Sequence, residues 1–295
     1  MKNIIIFGTG EFGKDAYRYY REKEDVHIMF FCDNSIEKQN TELFGKKILS
    51  PNILLKDKYD EIVVASSFDN EIVQQLKSFS IEDKYIKVLN PNEIKIQLGN
   101  GKKFLLATQL TKDIASFFNK HQIPYHIDHG TLLGIMRDNH LIEWDTDIDF
   151  AALDTNIAEV FKLLQDYLVN YSAKYCQNNR WKCTLYNCDM NFNNSVQLLP
   201  MVIKIFNDCD DEISNSLFVD IEFKYKEGEN LYWMIGSRKL SAPYRMCFPT
   251  KSILFQNQEI QVPGKSSEYL SLLYGNWKQE LKDWSYNHFD NITLQ

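Results

Sequence analysis

Residues 130–153 read GTLLGIMRDNHLIEWDTDIDFAAL. From Trp144 to Phe150 acidic and apolar side chains alternate, and the run then stays apolar to Leu153, which predicts a strand with one wet and one buried face. Residues two apart on a strand point the same way, so Asp147 and Asp149 are expected on one face, with Ile148 and Phe150 turned into the core. Two parallel carboxylates repel each other unless a cation lies between them. Oxygen ligands at this density suit Mg²⁺ or Mn²⁺, and Mg²⁺ commonly joins carboxylates to substrate phosphates. Asp220, alternating with Val219 and Ile221 in the run 217–223, can add a third carboxylate from another strand.

Upstream, Pro124–Asp128 is a short expected strand, and Gly130 and Thr131 open a helix over Leu132–Arg137. Free amides and a hydroxyl at such a turn form a phosphate grip, and Arg137 can add a bidentate charge. Each feature alone has a plainer reading. An acidic pair at a strand end is often solvated surface, and Gly-Thr before a helix is often an ordinary N-cap. In this order, however, they meet the needs of phosphoryl-type transfer: charge neutralisation and positioning.

The order is similar to that of the DNA polymerase beta-like nucleotidyltransferases. Residues 129–149 resemble the signature of the LicD/fukutin family, Gly-Thr-Leu-Leu-Gly-x-x-Arg followed by apolar-x-Trp-Asp-x-Asp-apolar-Asp. Residues 218–221 (FVDI) match more weakly, as do Val262-Pro263, Tyr269-Leu270 and the run 273–277 (LYGNW). The resemblance covers about residues 103–280. It implies Mg²⁺- or Mn²⁺-dependent transfer of a phosphorylated alcohol, such as phosphocholine or ribitol phosphate, from a CDP-linked donor to a sugar hydroxyl of a cell-surface glycan, releasing CMP. Lipopolysaccharide, capsule and teichoic acid are acceptors of this kind. Asp147 and Asp149 would hold the metal, and Asp220 would complete the site or take the acceptor proton. Gly130, Thr131 and Arg137 would hold donor phosphates. Thr146 stands where many bacterial members carry an Asp, and its side chain is expected to point away from the pair. His129, in place of a small residue, reads as a structural histidine, with a modified donor pocket as the alternative.

The first part of the chain carries a different pattern. Asn3–Phe7 is an apolar, buried-strand run, followed by the loop Gly8, Gly10, Gly13 and a helical pattern over Lys14–Lys23. Val26–Cys32 is a second strand, and Asp33 lies 20 positions beyond Gly13, the spacing of a dinucleotide loop. Strand and helix continue to alternate through 49–55, 61–66, 70–79 and 85–89, which predicts a Rossmann-like parallel sheet. Two features leave the ligand open. The domain is shorter than a full dinucleotide-binding pair of halves, and Cys32-Asp33-Asn34 resembles the opening domain of bacterial sugar-modifying acyltransferases, whose related loop meets a nucleotide-sugar. Gly8, Gly10, Gly13 and Asp33 are therefore a candidate nucleotide loop, with a degenerate scaffold as the alternative.

A proline and two glycines in 90–101 mark a boundary between residues 1–95, an α/β Rossmann-like domain, and residues 100–295, an α+β domain of DNA polymerase beta-like nucleotidyltransferase type. The second domain opens with a core-facing helix over Lys102–Gln122. Helix 156–169, a mostly stranded stretch over 174–235 and helix 266–274 follow. Of the 295 residues 44% are hydrophobic and 25% charged, an ordinary globular balance. A net charge of −7 argues against nucleic acid as a partner. The start lacks a signal-peptide pattern and no run of apolar residues is long enough to span a bilayer, so a cytoplasmic location is expected, with at most peripheral contact to a lipid-linked acceptor. Six cysteines without a CxxC pair read as free thiols, although Cys176, Cys183, Cys188 and Cys209 leave zinc conceivable. Aromatic residues make up 14%, but no ordered cluster suggests a choline cage. The oligomeric state is left open. Three rival functions remain. One is a true nucleotidyltransferase releasing pyrophosphate, and another is a non-catalytic nucleotide sensor. The last, an NAD-dependent oxidoreductase centred on the first domain, is disfavoured because no catalytic Tyr-x-x-x-Lys or Cys/His arrangement stands out after Gly13.

Overall fold

The computed structural model describes residues 1–56, 58–94, 96–176, 180–208, 216–236, 238–281 and 292–294. The chain divides into two compact units, Met1–Lys95 and Ile96–Gln295. It is an α/β protein with one largely parallel sheet and one mixed sheet.

In the first unit, strands β1 (Lys2–Phe7), β2 (Val26–Cys32), β3 (Glu42–Leu43), β4 (Lys46–Leu49), β5 (Glu61–Val64) and β6 (Ile86–Val88) lie in the order β3-β4-β2-β1-β5-β6. All neighbours are parallel except the short hairpin β3–β4. The unbroken apolar run of β1 has its cause here, because helices cover both faces. Ile4 and Ile6 pack with Ala16 and Tyr20 of helix α1 (Glu11–Arg21). Ile5 and Phe7 pack instead with Ile72 and Leu76 of helix α2 (Asp69–Ser78). The stretch 49–55 is the end of β4 and a 3-10 turn begun by Pro51, and the unit closes with a short helical turn α3 (Pro91–Ile94).

The second unit begins with helix α4 (Lys102–His121), whose Leu106, Leu110, Ile114 and Phe118 are fully buried at helical spacing. Strand β7 (Tyr125–Ile127) follows, then helix α5 (His129–Asp138), capped by the Asp128 carboxylate, which accepts from the His129 N–H. Next come β8 (Ile148–Leu153), helix α6 (Ile157–Val169), and β9 (Trp181–Phe192) with β10 (Ser195–Asn207). The remaining strands are β11 (Phe218–Glu227), β12 (Asn230–Ile235), β13 (Arg238–Pro243), the separate hairpin β14 (Lys251–Phe255) with β15 (Gln258–Val262), and β16 (Ile292–Leu294). A helix over Ser266–Tyr274 lies between the last two.

Strand β11 organises this sheet. Its first half lies between β8, to which it is parallel, and β10, to which it is antiparallel, and its end pairs with β12. Val219, Ile221 and Phe223 are fully buried and join Phe150 of β8 and Phe118 of α4 in one core. Asp220, Glu222 and Lys224 take the opposite face by strand alternation.

The expected strand from Trp144 begins only at Ile148. Residues 143–147 form a turn whose carbonyls are taken by another loop: Leu98 donates to the Asp145 carbonyl at 2.7 Å and Gly99 to the Glu143 carbonyl at 2.6 Å. Asp147 therefore sits in a bend, and its position beside Asp149 does not come from strand pleating.

Candidate active site

Three neighbouring strands place charged residues side by side. Asp149 on β8 is in register with Asp220 on β11, and Asp220 is in register with Lys204 on β10. Lys204 Nζ donates to Asp220 Oδ2 at 2.9 Å. Burial works against the ammonium, but the charges of Asp220 and Asp147 outweigh it and hold Lys204 protonated well beyond its ordinary range. Asp149 is shifted in the same direction, toward the protonated form. Burial, and then the charges of Asp147, Asp145, Asp220 and Glu222, raise its carboxyl well above the usual carboxylate range. Asp145, Asp147, Asp149 and Asp220 all keep partial solvent exposure. Four partly exposed carboxylates thus act on one another here, and the Lys204 ammonium bonds Asp220.

The signature glycines serve this arrangement. A Cβ on Gly130 would run into the Asp145 carboxylate, and one on Gly134 would strike the His140 carbonyl and Ile142. Both glycines let the loop 140–145 lie tightly on α5. The Asp145 carboxylate consequently rests against the first turn of α5, where its charge is favoured. Thr131 accepts from the Asp149 N–H at 2.9 Å, so its hydroxyl fixes the start of β8. Thr146 does not point away from the acidic pair: its hydroxyl donates to Asp147 Oδ1 at 3.3 Å. Arg137 lies in the last turn of α5 and pairs with the adjacent Asp138 at 2.8 Å.

A second charged group lies under the same strand. Lys224 Nζ is 2.8 Å from Asp128 Oδ2 and 3.0 Å from Glu222 Oε2, and it stands 3.6 Å from the centroid of the Trp233 ring. His129 Nε2 is 2.9 Å from Glu222 Oε2. Burial disfavours charge on His129, yet Asp128 and Glu222 outweigh it and raise the ring above its ordinary range, which favours the protonated form. Burial alone would raise Asp128 too, but His129 and Lys224 reverse this and hold it well below the carboxylate range. Asp128 and Lys224 are both 0% exposed. Asp128, His129 and Glu222 each bring one ligand atom within 4.8 Å of the others, a spacing compatible with a metal ion. The Lys224 ammonium already bonds two of the three, Asp128 and Glu222. His129 adopts φ +42°, a left-handed conformation uncommon for its type, at the point where chain and side chain are both held. His129 thus lies buried between Asp128 and Glu222. Glu222, Lys224 and Lys204 were missed as site residues, although the alternation Asp220-x-Glu222-x-Lys224 was a visible signal.

In the first unit, Asp33 Oδ2 accepts from both the N–H and the hydroxyl of Thr9, and Oδ1 accepts from the Ser35 N–H at 2.9 Å. Burial opposes the charge, but these bonds and Lys38 hold the carboxyl below its ordinary range. A Cβ on Gly8 would strike the Ala65 carbonyl and one on Gly13 the Gly8 carbonyl, whereas Gly10 has nothing within 4 Å. The Tyr-x-x-x-Lys spacing does occur, at Tyr19 and Lys23, but Lys23 Nζ rests 4.4 Å from the Tyr19 ring centroid at the far end of α1 from the glycine loop. Cys32, Cys176, Cys183, Cys188 and Cys247 are free thiols, and Cys209 lies outside the described residues. Among the described residues no helix is long and apolar enough to cross a membrane.

Comparison with known proteins follows the same division. Residues 122–265 match the model of the LicD/FKTN/FKRP nucleotidyltransferase domain, and residues 1–87 match that of the C2185-like N-terminal domain. An uncharacterized protein of Rickettsia prowazekii (strain Madrid E) is 32% identical over 92 residues, covering 30% of this chain and 35% of that protein. One of Rickettsia typhi (strain ATCC VR-144 / Wilmington) is 26% identical over 157 residues, covering 52% of this chain and 48% of that protein. The chain thus spans half or less of the length of these curated relatives. Among solved structures, ANT(2")-Ia in complex with adenylyl-2"-tobramycin matches 61% of this chain and 82% of its own at a TM-score of 0.36 and 13% identity. UDP-D-quinovosamine 4-dehydrogenase from Vibrio fischeri matches 31% of this chain and 81% of its own at a TM-score of 0.27 and 22% identity. Both scores are too low to establish a shared fold.

Proposed function

We propose a glycan-modifying phosphotransferase function for this chain, which belongs to the LicD/FKTN/FKRP family, a family of transferases, through residues 122–265. In this reading a phosphorylated alcohol, phosphocholine or a polyol phosphate, moves from a CDP-linked donor to a sugar hydroxyl, and CMP leaves. The observation that carries it is the partly exposed group Asp145, Asp147, Asp149 and Asp220, with Asp149 and Asp220 in register on neighbouring strands. The reading gives residues 100–295 the DNA polymerase beta-like nucleotidyltransferase fold and residues 1–95 a Rossmann-like role.

The donor set fits a hard divalent cation, because it is all carboxylate oxygen and the Asp149 carboxyl is strained by like charge. Asp147, Asp149 and Asp220 would hold Mg²⁺ or Mn²⁺. Such an ion, when bound, polarises a phosphoryl oxygen and offsets developing charge. The chain's own groups then have separate tasks. The register of β8 and β11 keeps the Asp149 and Asp220 side chains adjacent, and the Thr131 hydroxyl fixes the Asp149 backbone. Gly130 and Thr131 at the start of α5, with Arg137, would orient the donor phosphates, and Asp220 is placed to take the proton of the acceptor hydroxyl if it does not serve as a ligand.

The test is incubation of the full chain with Mg²⁺ and a panel of CDP-alcohols, with and without a glycan acceptor. CMP release is expected with at least one donor. Pyrophosphate released from a nucleoside triphosphate, with no CMP from any CDP-alcohol, would replace this reading by nucleotidyl transfer.

For the first unit, a nucleotide or nucleotide-sugar at Gly8, Gly10, Gly13 and Asp33 is the corresponding reading. It is favoured by Gly10, whose missing side chain the fold itself does not require. The proposed setting is the cytoplasm, in contact with a glycan carried on a lipid.

A further inference from the structure

Lys204 and Lys224 both bind carboxylates of β11, yet they are held differently. Lys224 bonds two carboxylates, and its side chain is 0% exposed. Among the described residues Lys204 makes an ion pair with Asp220 alone, keeps 23% of its side chain exposed, and stands 5.1 Å from the Phe218 ring centroid. A flexible four-carbon stem beside solvent can swing, whereas one enclosed on all sides cannot. The Asp220 oxygen that Lys204 binds belongs to a carboxylate in register with Asp149. An ammonium and a divalent cation cannot both take the same lone pairs of that oxygen.

We propose that Lys204 is a resident counter-ion of Asp220, displaced from that carboxylate by a divalent cation as it binds. Lys204 thereby sets the metal affinity of the free protein, and the displaced ammonium is left beside the metal site, where phosphates of a donor can receive it. Metal alone binds weakly in consequence, and metal with donor binds well. The inference rests on the reading of Asp147, Asp149 and Asp220 as metal ligands.

The test is titration of the full chain with Mn²⁺ in the absence of nucleotide, following free Mn²⁺ by electron paramagnetic resonance. Lys204→Met and Lys204→Gln are each expected to bind Mn²⁺ about tenfold or more tightly than wild type, the scale of a charge-assisted hydrogen bond that no longer has to be broken. Lys204→Arg, which keeps the competing charge, should remain near wild type. Lys182→Met is the control for a general loss of positive charge, since Lys182 pairs with Asp208 at the surface. Met and Gln variants that bind no more tightly than Lys182→Met would overturn the displacement role while leaving the metal site standing. Absence of Mn²⁺ binding by every protein in the set would overturn the metal reading itself, and the displacement role with it.

Discussion

Successive outward-facing residues of one strand feed two groups of opposite character. Asp220 of β11 joins Asp145, Asp147 and Asp149, while Glu222 and Lys224, one and two alternations further on, join Asp128 and His129. In the second group Lys224 and His129 meet Asp128 and Glu222, and Asp128 and Lys224 are sealed from solvent. In the first, four carboxylates keep partial exposure, and Lys204 bonds one of them. A buried set that neutralises itself needs nothing further and ties β11 to the start of α5. A partly exposed set of like charges is eased by a cation or a proton. Burial and the mix of charges, more than the presence of acidic residues, separate the two groups here.

The contrast can be broken most directly at Asp149. Asp149→Asn should lower CMP release by about 10³-fold or more, the several kcal/mol that a Lewis-acid site supplies. The same change should raise the melting temperature in EDTA at neutral pH, because it removes a carboxylate that its neighbours repel. A drop in both activity and melting temperature would mean that Asp149 supports the sheet in the way Lys224 does.

The sealed group should respond in the reverse manner. Lys224→Met strands Asp128 and Glu222 without their shared ammonium and should cost about 3–5 kcal/mol of stability by denaturant unfolding. An unchanged unfolding midpoint would show the ion pairs to be dispensable.

A smaller effect should mark His129 through pH. Its folded-state value is raised above 6.5, so its contribution to stability is complete below that pH and is lost as pH rises through the folded value. His129→Gln should therefore flatten the decline in stability from neutral to alkaline pH. A wild-type decline that persists unchanged in the variant would assign it to other groups.

The smallest contrast lies in the first unit. Gly13→Ala places a methyl group against the Gly8 carbonyl and should destabilise that unit by about 1–3 kcal/mol. Gly10→Ala meets open space and should change stability by less than about 0.5 kcal/mol. Equal losses at the two positions would show that Gly10 is also required by the fold, which removes the main support for a ligand at this loop.

The sequence by itself determined what depends on neighbours along the chain. The apolar run of β1, the strand Val26–Cys32, the periodicity of α4 and the helix Ser266–Tyr274 follow from local pattern, and each appears where that pattern places it. The family signature was legible for a related reason, since its glycines and acids are closely spaced and their residue types are unusual together. Tertiary structure decided the rest. The acidic alternation predicts a strand from Trp144, yet Asp145 and Asp147 precede the strand because backbone groups of 143 and 145 bond to residues 98–99, far away in sequence. Thr146 meets Asp147 instead of turning away because it lies in that turn, where strand alternation does not apply. Lys204 acquires its place beside Asp220 from the register of β10 on β11, and Lys224 reaches Asp128 across the fold. Alternation shows which face of a strand a residue occupies, but only the pairing of strands decides which charge it meets there, because partners on different strands are set by hydrogen-bond register and carry no signature in the local sequence.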